Sequence, residues 1–195
     1  SKGSMIRLAT FLSRGDLRPR LGAAEGGVMR DLSAAHGADW NMRRALALPA
    51  EELRAMIAAA RVTLPLAECH LLPPIPDPGK IFCVGKNSKV HREELVAQGM
   101  LKEDPQEPTG FVKLTETLVG EGARVVRPEG ITTLDYEPEL AFIVTKRAFR
   151  VPRARARDYV GGVTVLNDLT AREIQKQEVA SGTRFWTAKN MPGFT

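Results

Sequence analysis

Pro73-Pro74-Ile75-Pro76-Asp77-Pro78-Gly79 places four prolines among seven residues. Proline fixes its φ and lacks an N–H, so this stretch can join neither a helix interior nor a central strand. It divides two different patterns. Before it, Met5–Leu12 alternates weakly and Gly15-Asp16, Leu21-Gly22 and Gly26-Gly27-Val28 punctuate short apolar runs, which predicts a small β-hairpin unit. Ala45–Ala60 carries Leu46, Leu48, Leu53, Met56, Ile57 and Ala60 near helical spacing. Pro49-Ala50-Glu51-Glu52 supplies the proline and acids of a first turn, so one amphipathic helix is expected. After the prolines come short β runs: Lys80–Val84, Phe111–Leu114, Arg124–Arg127, Glu139–Lys146 and Gly162–Asn167. Helical stretches are few, at Val90–Gln98, Ala154–Val160 and Ala171–Ala180. Because regular βαβ alternation is missing, the reading is a β-rich α+β fold with a rolled or barrel-like mixed sheet and a small N-terminal α/β appendage. The domains divide as residues 1–72 and 73–195.

The 195 residues are 43% hydrophobic and 26% charged, an ordinary globular balance for one domain or one catalytic unit with an appendage. No apolar run reaches the ~18 residues of a membrane span, and Leu8–Leu12 is too short for a signal segment, so a cytoplasmic protein without a membrane partner is expected. Residues 1–4 read as a cloning remnant ahead of Met5. Cys69 and Cys83 cannot form a disulfide framework or a cysteine zinc site and are expected as buried small hydrophobes. The net charge of +5 peaks in Arg150–Arg157, which lacks interleaved aromatics. It reads as a solvated helix start after Pro152, with no nucleic-acid partner.

Three segments carry chemistry. In Asp135-Tyr136-Glu137-Pro138-Glu139-Leu140, residues two apart share a strand face, which would set Glu137 beside Glu139. Two adjacent carboxylates call for a cation between them unless both simply face solvent. In Val163–Arg172, a strand ends at Asn167-Asp168 and passes through Thr170 into a helix. Asp168 or Thr170 either caps that helix or faces a site, and Arg172 and Gln175, three apart on its first turn, either bind a carboxylate or are exposed. In Gly85–Glu94, His91 and Glu94 share a helix face and make a candidate water-activating dyad. His36 and His70 have no such company and read as structural. Asp and Glu without Cys suit Mg²⁺ first, then Mn²⁺ or Ca²⁺.

The ordered motifs G-K-N-x-x-x-H-x-x-E (85–94), F-V-K-L (111–114), D-Y-E-x-E-L (135–140), R-D-Y-V-G-G (157–162), N-D-L-T-A-R-x-x-Q (167–175) and A-K-N (188–190) together resemble the fumarylacetoacetate hydrolase family. The resemblance covers about Lys80–Thr195 and implies a mixed β-roll, usually dimeric. It implies Glu137, Glu139 and Asp168 as ligands of a divalent metal, His91 and Glu94 as a dyad on a mobile lid, and Lys189 as the active-site lysine. Arg172 and Gln175 match positions near the substrate. Two features depart from the family pattern: Asn87-Ser88 replaces an Asn-Tyr pair, and Phe82-Cys83-Val84 stands where some members carry a fourth carboxylate. The family continues past A-K-N, so the C-terminal part of the roll is expected to be absent from this chain. The leading expectation is a metal-dependent hydrolase that cleaves a carbon–carbon bond of a 1,3-dicarbonyl, acylpyruvate-like acid in aromatic catabolism and works as a homodimer. The alternatives are an isomerase, decarboxylase or hydratase of 2-hydroxymuconate-like dienoic acids, and a non-catalytic metal-binding subunit.

Overall fold

The computed structural model describes residues 5–86, 92–93, 96–97, 99 and 107–195. The chain forms two compact units: residues 1–76, 119–124 and 138–166 make the first, and residues 77–118, 125–137 and 167–195 the second.

In the first unit, β1 (Leu8–Leu12), β2 (Arg20–Glu25), β3 (Val28–Asp31), β4 (Thr63–Pro65) and β5 (His70–Leu71) form one sheet in the order β4-β3-β2-β1-β5. The β2–β3 turn is Gly26-Gly27, both at positive φ (57° and 83°), as a two-residue hairpin connection requires. Gly22 in β2 is obligatory for another reason: a Cβ there would lie 2.4 Å from Met29 Sδ and 2.9 Å from the Phe11 ring. Met29 and Phe11 are themselves fully buried.

Three helices follow β3: α1 (Leu32–His36), α2 (Met42–Leu46) and α3 (Ala50–Ala59). The single helix expected over Ala45–Ala60 is therefore two. Pro49 stands at the N-cap of α3 in extended conformation (ψ 142°), which separates Leu46 from the following turn. Asp31 caps α1 by accepting from Ala34 N, and Asn41 caps α2 by accepting from Arg44 N. Leu21, Ala23, Leu32, Met42, Ala45, Leu53 and Ala60 form the core between sheet and helices. The same unit contains the paired strands β9 (Pro138–Val144) and β10 (Val160–Asn167), although Asn167 itself falls in the second unit.

The second unit holds the hairpin β6 (Ile81–Gly85) with β7 (Thr109–Lys113), in which Ile81 faces Lys113 and Cys83 faces Phe111. It also holds the short antiparallel pair β8 (Leu134–Asp135) with β11 (Thr170–Ala171), helix α4 (Arg172–Ala180) and the 3-10 turn Thr187–Lys189. Ile131, Ala171 and Phe194 form its core, with Val125, Leu134, Leu169, Ile174 and Met191 packed around them. Arg124–Arg127, expected as a strand, has no strand pairing, and Val125 instead packs its side chain into this core. Cys69 and Cys83 are half-buried rather than buried. Among the described residues no helix is long and apolar enough to cross a membrane.

Candidate active site

Two short strands assemble the site. Thr170 pairs with Asp135 and Ala171 with Leu134, while Asp168 N donates to Glu137 O at 2.8 Å and Glu137 N donates to Asn167 Oδ1 at 3.0 Å. These two bonds, one backbone to backbone and one to the Asn167 side chain, tie Glu137 to the Asn167-Asp168 pair across 30 residues of chain. The bland alternative, that Asp168 or Thr170 caps the helix, does not hold. The N-cap of α4 is Ala171, with no side-chain cap.

Lys189 stands between the carboxylates. Its Nζ donates to Glu137 Oε2 at 2.6 Å, Asp168 Oδ2 at 2.6 Å and Thr170 Oγ1 at 2.7 Å, so all three ammonium hydrogens are engaged. The residue is only 3% exposed. The Phe111 ring lies 5.0 Å from Nζ and Phe185 5.9 Å, and the two rings meet edge to face at 5.6 Å. This gives the cation an apolar wall.

A second lysine, not singled out as a site residue from sequence, completes the arrangement. Lys113 Nζ donates to Asp168 Oδ1 and to Lys189 O, each at 2.6 Å. Asp168 thus gives one oxygen to each ammonium. Burial pushes Lys113 below the usual lysine range against the hydrogen bond and charge of Asp168, and the Lys189 charge adds to the lowering. For Glu137, burial opposes ionisation. The hydrogen bond and charge of Lys189, joined by Arg172, outweigh it and hold the carboxyl below its ordinary value. Phe111 and Lys113 are two apart on β7, so the F-V-K-L motif already set a ring and an ammonium on one face. The missed signal was a lysine at that position.

Arg172 is committed within the protein: Nε to Asp135, Nη2 to Glu137 Oε1, and Nη1 to Gln175 Oε1 at 2.8 Å. The Gln175 oxygen is thereby used, which leaves its Nε2 to donate. Glu178 on α4 accepts the backbone N–H groups of Trp186 (3.1 Å), Thr187 (2.6 Å) and Ala188 (3.4 Å). It thus anchors the turn that presents Lys189.

The expected dyad, His91 and Glu94, lies outside the described residues. The metal triad is corrected in one respect. Among the described residues no three His, Cys, Asp or Glu side chains gather to hold a metal, and the set Glu137, Glu139 and Asp168 is no exception. The same-face argument for Glu137 and Glu139 needs one unbroken strand. Here β8 ends at Asp135 and β9 begins at Pro138, so Glu137 lies outside both, half-buried, while Glu139 on β9 is exposed. Glu137 and Asp168 do fit a hard divalent cation in kind: they are oxygen donors converging on one cationic atom. Mg²⁺ commonly takes one or two carboxylates and completes its shell with water.

The profile of the fumarylacetoacetate (FAA) hydrolase C-terminal family matches residues 80–195, which include every residue of this site. The chain is 38% identical over 114 residues to the mitochondrial oxaloacetate tautomerase of Caenorhabditis elegans, covering 58% of this chain and 51% of that protein. It is 40% identical over 114 residues to an oxaloacetate tautomerase of Bacillus subtilis, covering 57% of this chain and 37% of that one. It therefore spans about half, or less, of the length of these curated relatives. The solved fumarylacetoacetate hydrolase of the psychrophile Exiguobacterium antarcticum superposes with a TM-score of 0.70 at 27% identity, covering 97% of this chain and 64% of that one. With a matching profile over more than half its length, the chain belongs to the fumarylacetoacetate hydrolase family.

Proposed function

We propose that this chain supplies the charge-stabilising part of an enzyme that interconverts the keto and enol forms of an oxaloacetate-like 2-oxo acid. The observation that carries the reading is the buried Lys189 ammonium, fixed between Glu137 and Asp168 beside the Phe111 ring. Tautomerisation needs a base to take a proton from the carbon next to the 2-oxo group and a fixed positive charge where the oxygen becomes negative. Both relatives near 40% identity are named for this reaction on oxaloacetate.

Lys189 is held by three partners, and Thr170 is the only uncharged one. A substrate oxygen would therefore replace Thr170 Oγ1 at lowest cost and take a hydrogen bond from Nζ as its charge develops. Gln175 Nε2, with its carbonyl held by Arg172, donates to the substrate carboxylate. Arg172 acts as a positioning residue, since its own donors are spent on Asp135, Glu137 and Gln175. His91, oriented by Glu94, takes the carbon-bound proton and returns it to oxygen. A divalent ion, Mg²⁺ first and Mn²⁺ or Ca²⁺ after it, would be held by Glu137 and Asp168, with water completing its shell, and when bound supplies Lewis-acid polarisation of the 2-oxo group. Phe111 and Phe185 exclude water from the cation's side.

Hydrolysis of an acylpyruvate-like 1,3-dicarbonyl acid is the second reading. The solved relative at 27% identity is named a fumarylacetoacetate hydrolase. Hydrolysis differs by using the same base on water. The test is to add freshly dissolved enol oxaloacetate and follow loss of its ultraviolet absorbance with and without the protein, then analyse acylpyruvate incubations for two carbon fragments. Acceleration of the first that is lost in Lys189→Met supports tautomerisation. No acceleration, together with fragment formation, replaces it with hydrolysis.

A further inference from the structure

The 28 basic and 23 acidic residues of the chain leave an excess of five. Lys146, Arg147, Arg150, Arg153, Arg155 and Arg157 against Asp158 make the same excess within residues 146–158, so the rest of the chain is balanced. This segment is the connection from β9 to β10, closed at its base by Thr145 N donating to Tyr159 O at 3.0 Å. All six cationic residues are exposed. Among the described residues only Arg155 of the six has an acidic partner, Asp158 at 2.5 Å. Phe149 is 77% exposed, and the Arg150 guanidinium lies over its ring at 5.5 Å. Arg150 itself takes a left-handed backbone (φ 49°), a conformation that a residue of this kind adopts only at a cost.

We propose that this connection is a docking surface for single-stranded nucleic acid. Five unpaired cations, four of them arginines whose planar forks match phosphate oxygens, would track the backbone. The exposed Phe149 ring offers a stacking platform. A flat anionic membrane fits less well. Arg153, Arg155 and Arg157 lie on a 3-10 turn, where each residue rotates by about 120°, so they point in three directions. A flexible strand can meet all three, whereas a plane cannot. The expectation of a merely solvated run, drawn from residues 150–157, left out Phe149, which stands one residue ahead of it.

The experiment is fluorescence anisotropy of a labelled oligothymidylate of about twenty nucleotides, titrated with the protein over a salt series. Five phosphate contacts predict a slope of log K on log salt of about −3.5, so that affinity falls about a hundredfold between about 50 and 200 mM salt. The variant Arg150→Ala/Arg153→Ala/Arg157→Ala should reduce the slope to about −1.4 while leaving turnover unchanged. Phe149→Ala should weaken binding about tenfold at unchanged slope. The proposal is overturned by no binding at the lowest salt, by a slope that the triple variant leaves unchanged, or by retention on phosphatidylserine vesicles without oligonucleotide binding. The affinity and its salt slope do not depend on which reaction the enzyme performs.

Discussion

Lys113 Nζ and Asp168 Oδ1 form an ion pair 2.6 Å long in which the lysine side chain is 0% and the aspartate side chain 4% exposed. The pair is one half of a shared arrangement, because Asp168 Oδ2 pairs equally closely with Lys189. Removing Asp168 takes the only carboxylate from Lys113 and one of two from Lys189, which keeps Glu137, while removing Lys113 leaves the carboxylate its pair with Lys189. Breaking a buried pair costs about 3–5 kcal/mol, so Asp168→Asn should lie toward the upper end and Lys113→Met toward the lower. Urea denaturation of both variants checks this. The reverse order, or two costs under about 1 kcal/mol, would show that the pairs do not hold the unit together.

Glu178 bears on Lys189 without touching it. Its carboxylate gathers three consecutive N–H groups ahead of that lysine, and a glutamine has one acceptor oxygen to offer them. Glu178→Gln should cost about 1–2 kcal/mol, as loss of a helix cap does. On the proposed reaction it should lower kcat about tenfold while KM changes little, because the ammonium is misplaced for the developing charge rather than for substrate binding. Trp186 emission should shift, since its backbone N–H is one of the three. An unchanged spectrum with unchanged kcat would reduce Glu178 to a surface cap.

Where short motifs map onto short elements, sequence was enough. Local pattern put Asp168 just after a strand and Arg172 and Gln175 in a first helical turn, and the structure has them there, whereas Lys189, on the 3-10 turn Thr187–Lys189, was marked by the family resemblance alone. Glu137 and Glu139 show the failure. Their two-residue spacing had meaning only if one strand ran through both, and the break at Pro138 is a property of two separate pairings, β8 with β11 and β9 with β10. The undivided helix over Ala45–Ala60 failed because periodicity continued through Pro49 while the backbone did not. Lys113 was hidden by base rates. Lysine is rarely buried, and only the tertiary convergence of Asp168 and the Lys189 carbonyl makes a place for it.

The proposed ligands and base separate by what each variant leaves intact. Asp168→Ala should abolish Mg²⁺ binding measured by calorimetry. His91→Ala should leave binding intact and lower turnover by roughly a hundredfold, the scale of a general base. Glu139→Gln is the sharper case. Because Glu139 is exposed on β9, this variant should leave the Mg²⁺ affinity unchanged, and a weakened affinity would make Glu139 a third ligand. Full turnover in both Asp168→Ala and His91→Ala would remove the assignment.

Glu173 at the start of α4 pins the loop ahead of β8. One oxygen, Oε1, accepts Thr132 N at 3.0 Å, Thr133 N at 2.9 Å and the Thr132 hydroxyl, and these bonds, with the hydroxyl foremost, hold its carboxyl down to about 2 from the ordinary 4.5. Its folded-state value is thus below its unfolded one. The carboxylate's contribution is complete above the unfolded value, declines as pH falls from about 4.5 toward about 2, and is gone beneath that. Glu173→Gln cannot titrate and keeps a weaker, uncharged acceptor. The stability gap between the parent protein and this variant should therefore be widest near neutrality and narrow through that window as acid is added. A gap that stays constant, or grows toward low pH, would mean that the loop is not held by the ionised carboxylate.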